Sequence, residues 1–208
     1  MLNAKRLLAM PYMSEGTYKP DWAKSKAKNA AKLRSLLQHV DKPFITYLIA
    51  GTSVSVYKVS NADSDFYFVH GAVGDNPDLI HYGVQVRHYD LKGLIKGKTC
   101  GQVSVFRNRT YAPTRKLPAW IFEKVLYPTY GNIVSDNTQS AQGKGFWEAR
   151  IADAIESGKR VYALELDESP RTMDVLKVEE IVTLLDMEQY YSTNQEYSSY
   201  YWRFLIQE

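Results

Sequence analysis

At 208 residues, with 45% hydrophobic and 24% charged residues, the chain can bury a core without metals or disulfides, and its composition excludes wholesale disorder. Its one cysteine, Cys100, excludes an internal disulfide and a cysteine-rich metal site, and no apolar run approaches the roughly 18 residues of a membrane span. The net charge of +3 is uneven: residues 1–42 hold nine Lys or Arg against three acids and residues 151–208 five against twelve, so a basic front can pair with an acidic end inside one fold.

Met1 to Met13 carries Lys5 and Arg6 and a short apolar stretch without a small-residue cleavage site. With the lone thiol, this predicts no export signal and a reducing, cytoplasmic setting. From Asp21 to Val40 the apolar residues Ala23, Ala27, Ala30, Leu33, Leu37 and Val40 recur at helical spacing, with Lys24, Lys26, Lys28, Lys32 and Arg34 between them. The expectation is an amphipathic helix with a basic outer face, begun by Pro20-Asp21 and stopped by Asp41-Lys42-Pro43. Such a face is either simply solvated or a contact for nucleic-acid phosphates, and the acidic C-terminal third argues against nucleic acid.

The period then changes. Ile45–Ile49, Ser53–Val59, Asp65–His70, His81–Tyr89 and Gly101–Arg107 are short β-branched and aromatic runs separated by Gly51 and by the turn cluster Ser60-Asn61-Ala62-Asp63, which predicts an antiparallel meander of about four strands. Pro118–Tyr130 follows as a helix closed by Gly131, then a short buried strand Asn132–Asp136. Gly143–Ser157 is a second amphipathic helix with Phe146, Trp147, Ile151, Ala154 and Ile155 inward and Gly158 as its stop. Lys159–Asp167 reads as a strand, the region near Val178 to Met187 as a helix, and Tyr190 to Phe204 as an aromatic tail. Without repeats or a long linker, residues 1–208 form one domain: a basic helical segment (1–42), a core (43–167) and an acidic, aromatic extension (168–208). The fold class expected is α/β (α+β), a mixed sheet with an antiparallel N-terminal meander flanked by helices.

The densest polar run is Ser135-Asp136-Asn137-Thr138-Gln139-Ser140, where a strand ends and a helix begins. Open sheets bind ligands at such places. Helix capping by Ser140 or Asp136 accounts for the serines and acids but not for Gln139. His39, His70, His81 and His88 show no metal-ligand spacing. His70 and His81 are either an approaching pair that could supply a base or satisfied edge histidines. Cys100 reads as a buried structural thiol, and no Gly-x-Ser-x-Gly elbow supports a hydrolase.

The order helix, antiparallel strands, helix, strand, helix, strand is similar to the core of the GNAT N-acetyltransferase family. Gln102-Val103-Ser104-Val105-Phe106-Arg107, Leu117-Pro118-Ala119-Trp120-Ile121-Phe122, Tyr130-Gly131-Asn132-Ile133-Val134-Ser135-Asp136 and Gln139-Ser140 with Gly143, Phe146 and Trp147 resemble GNAT-like proteins encoded by tailed bacteriophages, over about a third of the chain. The resemblance implies an acyltransferase using acetyl-CoA on an amine of a protein or small molecule, or alternatively a non-catalytic module that binds a protein of a bacterial host through aromatic surface. It further implies that the strand before the central helix splays from its neighbour, and that the next turn binds the cofactor pyrophosphate. That turn contains no glycine here, so Arg109, Arg115 and Lys116 would meet the phosphates by charge. An ordinary basic surface loop fits the same residues. The family frame Asn-x-x-Ala-x-x-x-Tyr falls on Ser140, Gly143 and Trp147. Ser140 can still hydrogen-bond, but an indole cannot act as general acid, which leaves Tyr162 or Tyr130 for that role. Ser135, Asp136, Gln139 and Tyr162 are the catalytic candidates, and Arg109, Arg115, Lys116 and Ser140 the cofactor-binding ones.

Overall fold

Ser25 opens the first helix, α1 (Lys26–Leu37), its hydroxyl accepting the Lys28 N–H at 3.2 Å. The start is therefore at Lys26, after a 3-10 turn at Asp21–Ala23, and not at Asp21 as the apolar spacing predicts. The computed structural model describes residues 21–49, 52–70, 78–89, 91, 99–108, 116–135, 141–168, 173–192 and 202–207. The buried face of α1 carries Asn29, Leu33 and Leu36, whereas Leu37, expected inward, is 38% exposed. Asn29 rotates the helix: its amide donates to the Ile80 carbonyl at 3.1 Å and accepts the Ile80 N–H at 2.7 Å, clamping α1 onto the next layer.

That layer is a meander of five strands: β1 (Ile45–Ile49), β2 (Thr52–Ser60), β3 (Ser64–His70), β4 (Ile80–Tyr89) and β5 (Thr99–Arg107). Each is antiparallel to the next. The β2–β3 turn is set by Asn61, whose side-chain oxygen accepts the N–H groups of Asp63 and Ser64 at 2.9 and 2.7 Å.

Next comes a helical stretch in three parts: α2 (Leu117–Ile121), a π-helical turn Phe122–Leu126 and α3 (Tyr127–Tyr130). Pro128 has no N–H to give the preceding turn, and the chain widens there, with Tyr127 N–H reaching back to the Phe122 carbonyl. Gly131, at φ 72°, ends the helix in a conformation glycine adopts without strain. Then follow β6 (Asn132–Val134), α4 (Ala141–Glu156), β7 (Arg160–Glu168), β8 (Met173–Ile181), α5 (Leu184–Ser192) and β9 (Trp202–Gln207).

The nine strands form one sheet in the order β1-β2-β3-β4-β5-β6-β9-β7-β8. Only β5 and β6 pair in parallel among the described strands. The architecture is thus mixed α+β, a mostly antiparallel sheet with helices on its faces. One face packs on α2, α3 and α4 through Val56, Tyr67, Val84, Ile121, Trp147 and Ile206, and the other receives α1 over Phe68 and Ile80.

The helix expected near Val178 to Met187 is corrected to strand β8 followed by α5. Val178, Glu179 and Glu180 pair with Leu164, Ala163 and Tyr162 of β7, so cross-strand bonding overrides a run whose apolar residues fit either period. Residues 168–208, read from the sequence as an extension, supply β8, α5 and β9, and β9 runs antiparallel between β6 and β7.

Candidate functional site

The parallel pair β5–β6 is short. Thr99, Cys100 and Gly101 lie opposite Asn132, Ile133 and Val134, after which β5 continues to Arg107 with no described strand beside it on that side. β5 also carries an irregularity: Gln85 faces Ser104 but Val86 faces Gln102, so the ladder skips Val103. A bulge of this kind interrupts the hydrogen-bond ladder and redirects backbone groups. Past these three pairs the chain from β5 leads on in sequence to α2 and the chain from β6 to α4.

Three of these candidate residues, Ser135, Tyr162 and Lys116, fall in described parts. Ser135 directly follows β6 and is fully buried. Its N–H donates to the Phe204 carbonyl at 2.8 Å and its hydroxyl accepts the Phe204 N–H at 3.0 Å, extending the β6–β9 ladder by one residue. Tyr162 lies on β7 opposite Leu205, the residue that Val134 faces from the other side. Ser135 and Tyr162 thus flank β9 at neighbouring levels, two strand spacings or roughly 10 Å apart. Burial raises the Tyr162 phenol pKa, and the Arg160 guanidinium stands 5.2 Å over the ring. Lys116 is exposed at the entrance of α2, where its carbonyl accepts the Trp120 N–H. Asp136, Gln139, Arg109, Arg115 and Ser140 lie outside the described residues.

The remaining candidates take structural places. Trp147 is fully buried against Phe122 and Phe146 at 5.6 and 6.0 Å, a core aromatic as its helical spacing suggests. Cys100 is fully buried, and desolvation drives its thiol pKa far up, away from nucleophilic character. His70 stacks on Tyr57 at 4.5 Å, while His81 Nδ1 lies 3.3 Å from the Asn108 side-chain amide, so the two rings enter different contacts. Burial lowers the His70 pKa, with Asp78 opposing. Among the described residues no three His, Cys, Asp or Glu side chains group as metal ligands, and no helix is long and apolar enough to cross a membrane.

The strongest electrostatic cluster was not singled out in the sequence. Asp65, at the start of β3, is 3% exposed. Its Oδ2 accepts from Lys58 Nζ at 3.0 Å, lies 3.0 Å from His88 Nε2, and takes a short hydrogen bond from the Tyr130 hydroxyl. Tyr130 and Tyr67 share a further bond at 3.0 Å. Burial works against the Asp65 charge, but Ser60, Tyr130, His88 and Lys58 outweigh it and hold the carboxyl down at about 2. The same carboxylate, after burial, pushes the Tyr130 phenol far up, so that its proton is committed to Asp65 rather than available to a leaving group. His88 pairs with Cys100 across β4 and β5, which sets the cluster beside the short parallel pairing of β5 with β6. The partners lie at positions 58, 88 and 130, on two strands and a helix, and no local spacing could have announced them. No protein-family model, curated protein or solved structure matches the chain.

Proposed function

We propose that the chain has a GNAT-like fold and transfers an acetyl group from acetyl-CoA to an amine of a protein or small molecule. The observation that carries this reading is the parallel β5–β6 pairing, which covers three residues although β5 runs on to Arg107. In this reading the two strands splay beyond that pairing, as the family's do to lay a thioester between them. Support also comes from the skipped residue Val103 on β5, where an interrupted ladder frees backbone donors of the type that stabilise a developing oxyanion.

In this reading Lys116, with Arg109 and Arg115, meets the cofactor phosphates by charge, because the turn offers no glycines for close backbone approach. Acetyl-CoA supplies the activated acyl group. Ser135, Asp136, Gln139 and Ser140 provide the polar groups that follow β6 in sequence, and the Ser135 hydroxyl still has its own proton to donate after accepting from Phe204. Tyr162, kept protonated by burial, is the proton source for the departing thiolate, Tyr130 being engaged by Asp65. Catalysis rests mainly on positioning.

Calorimetric titration with acetyl-CoA tests the proposal. Stoichiometric binding, weakened about threefold to tenfold in Lys116→Ala by loss of one phosphate contact, is expected. Absence of heat at millimolar cofactor would sink it and would favour a non-catalytic scaffold that binds a host protein.

A further inference from the structure

Lys58 on β2 faces Tyr67 on β3, and Asp65 lies two residues before Tyr67 on the same strand. The Lys58 ammonium is 3.0 Å from Asp65 Oδ2, 5.4 Å from the centre of the Tyr67 ring and 5.7 Å from that of Phe44. The two rings meet edge to face at 5.8 Å. A carboxylate floor with aromatic walls is the arrangement that recognises an ammonium group. Burial disfavours the Lys58 charge, yet Asp65 and Tyr67 outweigh it and raise the amine pKa.

Two observations indicate that Lys58 does not complete this pocket. Asp65 Oδ1 is buried without a hydrogen-bond partner among the described residues, although Oδ2 is crowded with three. Ser60, opposite Asp65 on β2, also bonds the carboxyl, yet Oδ1 has no hydrogen bond of ordinary geometry, which is uncommon for a buried carboxylate oxygen. The wall is also open: Phe44 is 49% exposed, and the Lys58 side chain retains 22% exposure. A lysine on its flexible four-carbon stem can withdraw through such an opening without moving the backbone.

We propose that the pocket formed by Phe44, Tyr67 and Asp65 binds the primary alkylammonium group of a ligand, and that Lys58 occupies it as a displaceable plug. The ligand ammonium takes the Lys58 position on Oδ2 and gives a second N–H to Oδ1. A lysine side chain of another polypeptide and a free polyamine share this chemistry. No acyl donor enters the argument, so the site stands or falls separately from acyl transfer.

The test vacates the pocket with Lys58→Met, which keeps the apolar stem, and titrates n-butylammonium against the 15N-labelled protein by NMR. Binding about tenfold tighter than in the wild type is expected, with 1-butanol failing to compete and Phe44→Ala in the same background costing about fivefold. Blocked lysine (Nα-acetyl-lysine N-methylamide) and spermidine then identify the source, the tighter of the two being the natural mimic. If Lys58→Met is unfolded alone, restoration of its thermal transition by n-butylammonium counts as the same positive result. Equal affinity in wild type and variant, equal binding of 1-butanol, or an unfolded variant that n-butylammonium does not restore overturns the proposal.

Discussion

Asp65 ionises well below an ordinary aspartate, and the difference from the unfolded chain is a contribution to stability. Burial opposes that ionisation, and Ser60, Tyr130, His88 and Lys58 overcome it. Because the folded pKa is depressed, the contribution is complete above the unfolded value near 4 and is lost as pH falls from there through about 2. A shift of this size is worth on the order of 2 kcal/mol. Urea denaturation between pH 5 and pH 2 should therefore show stability falling steeply, and Asp65→Asn should both flatten that fall and lower stability at pH 7 by about 2 kcal/mol, the contribution of the ionised carboxyl. An unchanged pH profile in the variant would remove Asp65 from this role. The sequence presented Asp65 only as the first residue of an aromatic strand, because its partners come from positions 7, 23 and 65 residues away. Trp147 is the opposite case. Its place among Phe146, Ile151 and Ala154 at helical spacing made its burial legible, and it is fully enclosed.

At the scale of elements, strands bounded by turn residues were readable to within one or two positions from β1 to β5, since β-branched and aromatic runs alternate there with Gly, Asn and Asp. The π-helical turn and the β8 strand were not. Both depend on partners the local pattern does not contain: Pro128 removes a donor from the helix ladder, and β8 exists because β7 offers it a ladder of hydrogen bonds. β9 is the clearest example, an aromatic tail in sequence that becomes an inner strand between β6 and β7. Ser135 ties it in, its hydroxyl accepting the buried Phe204 N–H at 3.0 Å. Ser135→Ala leaves that N–H without its acceptor and should cost about 1–2 kcal/mol in chemical denaturation. A variant as stable as the wild type would mean that the β6–β9 junction does not need the hydroxyl.

For the molecule as a whole, a continuous nine-stranded sheet places residues from both ends of the chain in one layer. The sheet's mixed character was legible, because helices alternate with strands after Leu117, but the strand order could not be read, since inserting β9 between β6 and β7 leaves no local trace. The candidate site was legible in outline only: the polar run at Ser135 was visible, whereas the short parallel pairing of β5 with β6 is a property of the sheet. That short pairing carries the functional proposal. If acetyl-CoA lies along it, backbone amides of β5 beyond Gly101 should become protected. Hydrogen–deuterium exchange measured with and without acetyl-CoA tests this most directly, the expected result being slowed exchange in Gln102–Arg107 and at the start of α2. Protection confined to other strands, or none at saturating acetyl-CoA, would contradict it.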